Sequence, residues 1–422
     1  MAEDIYWKKY TERFRSYPAL IEEPINPEVK LIVCIPVCSE PDLVKTLLSL
    51  SHCFQPDILV EIILLFNKNA WMSSGDMILH EQSWNEVLTW ISSHTESWIR
   101  FLPVFVNEMP DMKGGVGWAS KFAMDEAAMR LGQDGIIACL DADCTVSKNY
   151  IREISNQFIA HPLVDAASVY FEHPYQNLSQ KDREAIIRYE LHLRYLVHVQ
   201  RWCGHPFAYQ TVGSSMAVRR NAYLSQGGMN TKRAGEDFYF LQKFIETGKL
   251  FEIKSATVFP SARISNRVPF GTGKAMEEMK RHGTQWDTHS FEIFKMIKPL
   301  FQSLEILRNS LLEEIRNENV WRRIPGLDEK LVSYLIEINF TSEARLISDQ
   351  TTSQSAFNKR LFRYFNAFQM IKYIHYMRDN HFPDVNVESA VCQLFIEKEY
   401  GDAVELSAEE YLIAMRKLDK MN

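Results

Sequence analysis

No two cysteines in this chain are spaced as CxxC, and their total, seven, is odd. That leaves no pattern for a zinc ribbon or a disulfide framework, so reduced thiols in a cytoplasm are the simpler expectation. Basic charge is also lacking in excess: 47 Lys and Arg stand against 54 Asp and Glu, a formal net charge of -7. Nothing in that balance calls for a nucleic-acid partner. No apolar run approaches the length of a membrane span, and the opening MAEDIYWKKYTERFRSYP has no apolar core of a signal peptide. The expected location is the cytoplasm or the periphery of the inner membrane surface. A phosphate loop is missing as well: GTGK at 271 to 274 would need Gly at 268 and Ser or Thr at 275 to complete a Walker motif, and the chain has Val268 and Ala275.

What is present is an ordinary globular composition, 46% hydrophobic and 24% charged, spread over 422 residues. That length exceeds what a single core usually fills, so one large domain with an appended one is expected. LIVCIPV (31 to 37) is an unbroken apolar run of the kind that a parallel strand buried on both faces requires, and DILVEIILLF (57 to 66) is a second apolar run. Between them SEPDLVKTLLSL reads as a helix capped by Ser39 or Glu40. IRFLPVFV follows, then Lys113-Gly114-Gly115-Val116-Gly117 and a helix with Ala119, Phe122, Ala123, Ala127 and Leu131 on one stripe. GIIACL (135 to 140) supplies another strand, and alternation of this kind predicts an α/β fold whose ligands sit at the carboxyl ends of the strands.

Asp141-Ala142-Asp143 lies at such an end. Two carboxylates one residue apart repel each other and gain nothing from packing, but they can present oxygens to a hard divalent cation, Mn²⁺ or Mg²⁺, that keeps positions open for phosphates. The competing structural role is a cap by Asp141 on the helix beginning near Asn149. Further on, Gly213-Ser214-Ser215 lets backbone approach a ligand, Gly227-Gly228 makes a turn, and Glu236-Asp237 opens a helix carrying Phe238, Leu241 and Phe244. Arg263, Arg267 and Lys274 are candidates for a lid over a diphosphate. His173, His205 and His282 are candidates for a third metal ligand or an acceptor contact, while Gln200-Arg201-Trp202 reads as a helix end.

Taken in order, IPVCSEP, KGGVGWASKFAMDEA, LDADC, GSSMAVRR, and the GGMN and GED pair resemble the motifs of family 2 glycosyltransferases over about residues 30 to 275. The resemblance implies a GT-A, Rossmann-like fold: a mostly parallel sheet flanked by helices. It implies that Pro36, Cys38 and Glu40 meet the base and ribose of a nucleotide-sugar donor, with Asn67 where the family has an acidic residue. It further implies that Lys113 and Lys121 lie near the phosphates, that Asp141, Ala142 and Asp143 face the ribose and metal, with Asp143 the metal ligand proper, and that Gly213 and Ser214 line the donor. Asp237, with Glu236 beside it, would be the catalytic base. The activity so implied is metal-dependent, inverting transfer from a UDP-sugar to a carbohydrate or lipid-linked hydroxyl acceptor. Three alternatives stay open: a retaining transferase of the same fold, a sugar nucleotidyltransferase, and a noncatalytic nucleotide-sugar-binding protein.

From about 290 onward apolar residues recur at helical spacing without strand runs, with SDQTTSQS (348 to 355) as a linker. The expected organisation is a helical arm at 1–29, the catalytic domain at 30–289 and an all-helical extension at 290–422, which offers a homo-oligomer contact and no chemistry.

Overall fold

The structure is a computed structural model that describes residues 4–15, 17–68, 72–94, 96–107, 115–232, 235–263, 271–313, 320–400 and 406–421. Its chain contacts form two compact units, one of Met1–Ser179, Thr211–Glu278 and Arg416–Asn422, the other of Gln180–Gln210 and Met279–Met415. The division read from sequence keeps 180–210 with the sheet; here that segment groups with the C-terminal helices.

The first unit is an α/β unit built on an eight-stranded sheet. Its strands are β1 (Val29–Val37), β2 (Leu59–Asn67), β3 (Ile99–Val106), β4 (Ile136–Cys139), β5 (Thr145–Val146), β6 (Ala166–Phe171), β7 (Met216–Arg219) and β8 (Leu250–Phe259). They lie in the order β3-β2-β1-β4-β7-β6-β8-β5, and only β5 and β7 run against the others. The apolar runs behave as expected. Leu31 to Ile35 and Val60 to Phe66 are buried throughout, because in a parallel sheet both faces are covered by crossover helices.

The helices of this unit are α1 (Ile5–Phe14), α2 (Leu43–Ser51), α3 (Ser74–Ser93), α4 (Val116–Arg130) and α5 (Tyr150–Ala160), then, after the excursion into the second unit through α6 (Gln180–Cys203), α7 (Arg220–Ser225) and α8 (Glu236–Ile245). The N-cap of α2 is Asp42, without a side-chain cap bond, and not Ser39 or Glu40. Helix α4 departs most from its sequence pattern. The expected stripe Ala119, Phe122, Ala123 and Ala127 is buried, but so are Lys121, Asp125, Glu126 and Arg130. Their polar face is covered by the N-terminal arm. The hydroxyls of Tyr10, Tyr17 and Tyr223 all donate to Asp125, which also pairs with Lys121 at 2.9 Å. Arg15 pairs with Glu126, and Arg130 pairs with Glu61 while donating to the carbonyl of Glu23. Buried charges of this kind persist only when paired and hydrogen-bonded.

In the second unit α6 packs with C-terminal helices through Arg188, 2.7 Å from Glu388, and through the hydroxyl of Tyr195, which donates to the His289 carbonyl. The helix end expected at Gln200-Arg201-Trp202 is there, since α6 stops at Cys203. The stretch 348 to 355 is less a linker than two helix ends: helices cover Phe340–Asp349 and Gln354–Tyr364, and Ser353 caps the second. All seven cysteines are free thiols. Among the described residues no helix is long and apolar enough to cross a membrane.

Candidate functional site

The carboxyl ends of β1 and β4 open onto a cleft lined by Cys34, Pro36, Cys139, Leu140 and Asp141 from the strands and the turn after β4, Val116 and Ser120 from α4, Gly213 and Met216, and Glu236. The crevice lies where the strand order reverses between β1 and β4, and β4 continues there into the DADC turn.

That turn is braced from within. The Cys144 amide donates to the Asp141 carbonyl at 3.1 Å, and Thr46 of α2 donates to the Ala142 carbonyl at 2.8 Å. Asp141 does not cap α5, whose N-cap is Asn149. The ligand-type atoms of Asp141, Asp143 and Cys144 all lie within 4.8 Å of one another. Cys144 is buried, and burial, reinforced by the charges of Asp143 and Asp141, holds its thiol well above the usual range. The effective donors are therefore the two carboxylates, Asp141 exposed and Asp143 half-buried, a set that suits a hard divalent cation. Asp143 also faces Arg263, whose Nε lies 3.4 Å from its Oδ2.

Glu236 and Asp237 occupy the first turn of α8, behind Gly235, which is left-handed at φ 72°. The side-chain amide of Asn230 donates to the Glu236 carbonyl at 2.8 Å. Gly117 in α4 allows the backbone of Lys232 to sit close, since a Cβ at 117 would lie 2.2 Å from the Lys232 carbonyl oxygen. Gly117 and the backbone of Asn230 and Lys232, remote in sequence, thus meet closely. Asp237 accepts hydrogen bonds from the Phe238 amide at 2.7 Å and from the Gly213 amide. Burial raises its carboxyl above the usual range. Glu236 is 8% exposed, and burial first, then the charges of Asp237 and Asp141, push it up to about 8.

Of the residues singled out from sequence, Pro36, Asp141, Gly213 and Glu236 line the cleft, and Asp237 lies against Gly213. Ser214 is buried beside Cys144. Cys38 follows the end of β1, and Asn67 is the buried last residue of β2. Glu40 is buried and bonded to Arg263. The ammonium of Lys121 is committed to Asp125 and Tyr10. Lys113 and Arg267 lie outside the described residues, as does the side chain of His282. Lys274 pairs with Glu277 at 2.9 Å. Among the described residues neither His173 nor His205 joins the Asp141 group. His173 Nε2 lies 3.2 Å from the Thr272 hydroxyl, while His205 packs among Phe207, Phe301 and Phe362 of the second unit. Sequence reasoning missed His80 and Ser83 of α3, which bond the Ser39 amide and the Glu40 carbonyl in the loop after β1, and the brace from Thr46. Neither has a signature, since hydroxyls and a histidine on a helix carry no pattern until the partner backbone is known.

No protein-family model matches the chain, and no curated protein matches it at a significant level. Among solved structures it is similar to residues 1–349 of S. aureus TarS in complex with UDP-GlcNAc, at 12% identity over 82% of this chain and 92% of that one, with a TM-score of 0.40. It is similar also to the same protein in complex with UDP, at 12% identity over 80% and 92% with a TM-score of 0.36. For the longer S. aureus TarS structure the values are 12%, 75%, 54% and 0.35. Superpositions this loose assign no chemistry, which has to come from the site.

Proposed function

We propose that the chain is a glycosyltransferase that moves a sugar from a nucleotide diphosphate donor, a UDP-sugar, to a hydroxyl acceptor with inversion at the anomeric carbon. The observation that carries this reading is that the Asp141-Asp143 turn and the Glu236-Asp237 helix start face one cleft at the strand ends. Asp141 and Glu236 both line it, near enough that the charge of one opposes ionisation of the other.

In such a transfer the bond from the anomeric carbon to phosphate oxygen breaks, its electron pair leaves with the diphosphate, and the acceptor oxygen bonds the carbon as its proton departs. Asp143 and Asp141 would hold Mn²⁺ or Mg²⁺, which neutralises the charge growing on the leaving diphosphate. Gly213, bare of a side chain, lets Asp237 sit against the cleft wall, and the amides of Gly213 and Phe238 fix the orientation of its carboxylate. Burial raises the basicity of Asp237, which suits a proton acceptor. Burial first, then the charges of Asp237 and Asp141, push Glu236 up to about 8, which favours its protonated form beside Asp237. A retaining route would not need Asp237.

Asp237→Asn tests the reading. The variant keeps its shape and should melt and bind UDP nearly as the parent does, while turnover falls by roughly 10²–10⁴. Turnover like the parent's, measured alongside melting temperature and UDP affinity, refutes the assignment; if Glu236→Gln is dead instead, the base is Glu236. The anomeric configuration of the product, read by NMR, decides between inversion and retention.

A further inference from the structure

Arg263 stands between two carboxylates of the first unit. Its Nη2 bonds Oε2 of Glu40, and its Nε lies 3.4 Å from Oδ2 of Asp143. The two partners differ in freedom. The Glu40 side chain is 1% exposed, whereas those of Arg263 and Asp143 are 27% and 22% exposed.

Glu40 is also fixed from behind by successive turns of α3. Ser39 Oγ donates to the Asp76 carbonyl at 2.9 Å, the Ser39 amide donates to His80 Nδ1 at 3.1 Å, and Ser83 Oγ donates to the Glu40 carbonyl at 2.6 Å. These bonds hold Ser39 in a left-handed conformation, φ 48°, that a residue with a Cβ otherwise avoids. A buried carboxylate placed so firmly demands a cation, and Arg263 supplies one. The guanidinium is thereby kept within ion-pair distance of Asp143.

We infer that Glu40 parks Arg263 as an internal countercharge on Asp143, so that Arg263 and a divalent cation compete for that carboxylate. The inference rests on the reading of Asp143 as a cation ligand. Its physical content is that two positive groups cannot share one carboxylate within a few ångströms at no cost. Glu40 acts only through Arg263, as a positioning residue: by holding one face of the guanidinium it limits how completely Arg263 closes on Asp143.

The test is calorimetric titration of the full chain with Mn²⁺ alone, in the parent, Arg263→Gln, Glu40→Gln and the double variant, with Asp143→Asn as control. Arg263→Gln should bind Mn²⁺ roughly tenfold more tightly, about 1.4 kcal/mol. Glu40→Gln, which surrenders Arg263 to Asp143, should bind severalfold more weakly. In the Arg263→Gln background, however, Glu40→Gln should change the affinity by less than about twofold, because its effect passes through the arginine. The double variant leaves neither partner unpaired in the interior, so it reports even if a single variant melts early. Additive effects would mean that each residue contributes only its field, and would overturn the inference, as would unchanged affinity in Arg263→Gln. Failure of parent and Arg263→Gln alike to take up Mn²⁺ would instead sink the cation-ligand reading of Asp143 and the inference with it.

Discussion

Gly213→Ala isolates the position of the proposed base from its chemistry. Gly213 does not need glycine for its backbone, since its φ is not in the left-handed region. A Cβ at this position would, however, lie 3.1 Å from Oδ2 and 3.3 Å from Cβ of Asp237. Ordinary carbon contacts begin at about 3.5 Å, so the Asp237 side chain has to yield by a few tenths of an ångström. It cannot do so freely, because Oδ1 is held by the Phe238 amide at 2.7 Å. A misplacement of about 1 Å costs roughly 10² in rate, so this smaller shift should lower turnover by roughly tenfold. Stability should fall by no more than about 2–3 kcal/mol: overpacking costs about 1–3 kcal/mol, partly offset by about 0.4–1 kcal/mol from the stiffer unfolded chain. The assay is turnover of a UDP-sugar by UDP-release detection, with melting temperature and UDP affinity of the same preparation. Turnover should drop by more than UDP affinity does. A folded Gly213→Ala protein within twofold of the parent in turnover would refute the claim that Asp237 must sit against the bare backbone of residue 213.

Asp125→Ala should destabilise the first unit by about 3–5 kcal/mol, because it leaves the Lys121 ammonium buried without its counterion and strips an acceptor from Tyr10, Tyr17 and Tyr223; a melting temperature within about 2 °C of the parent would show that the cluster is not a stabilising centre. His205 is 2% exposed, and burial lowers its pKa from 6.5 to about 4. The unfolded chain therefore takes up the proton first as pH falls, so the stability this histidine contributes is complete above about 6.5 and drains away between there and 4, by at most about 3 kcal/mol. His205→Phe should flatten that acid limb in chemical denaturation measured from pH 7 to 4, and an unaltered slope would refute the assignment.

The loop after β1 shows how chemistry and support divide. Cys38 to Glu40 looks in sequence like donor-facing residues, yet the folded chain commits the Glu40 carboxylate to Arg263 and its carbonyl to Ser83. Lys121 likewise reads as a phosphate ligand from its place in the KGGVGWASK segment, and in the fold it neutralises Asp125 beneath the N-terminal arm. In both cases a charged residue in a plausible motif was claimed by a nearer partner, and no local pattern announces such partners.

The sequence by itself determined the elements and the ends at which chemistry can occur. Apolar runs such as Leu31 to Val37, alternating with amphipathic helices, bury both faces in a parallel sheet under helices, and a short polar turn after GIIACL places Asp141 and Asp143 at its carboxyl edge. Period and burial are local properties, and they survive without knowledge of the rest of the chain. Only the tertiary structure decided which distant groups meet: Gly213 with Asp237, Gly117 with the backbone of Lys232, Arg263 with Glu40 and Asp143, and Tyr10, Arg15, Tyr17 and Glu23 with the polar face of α4. These pairings follow from side-chain reach and from the demand that every buried charge find a counterion, conditions that fix nothing until the whole sheet is in place.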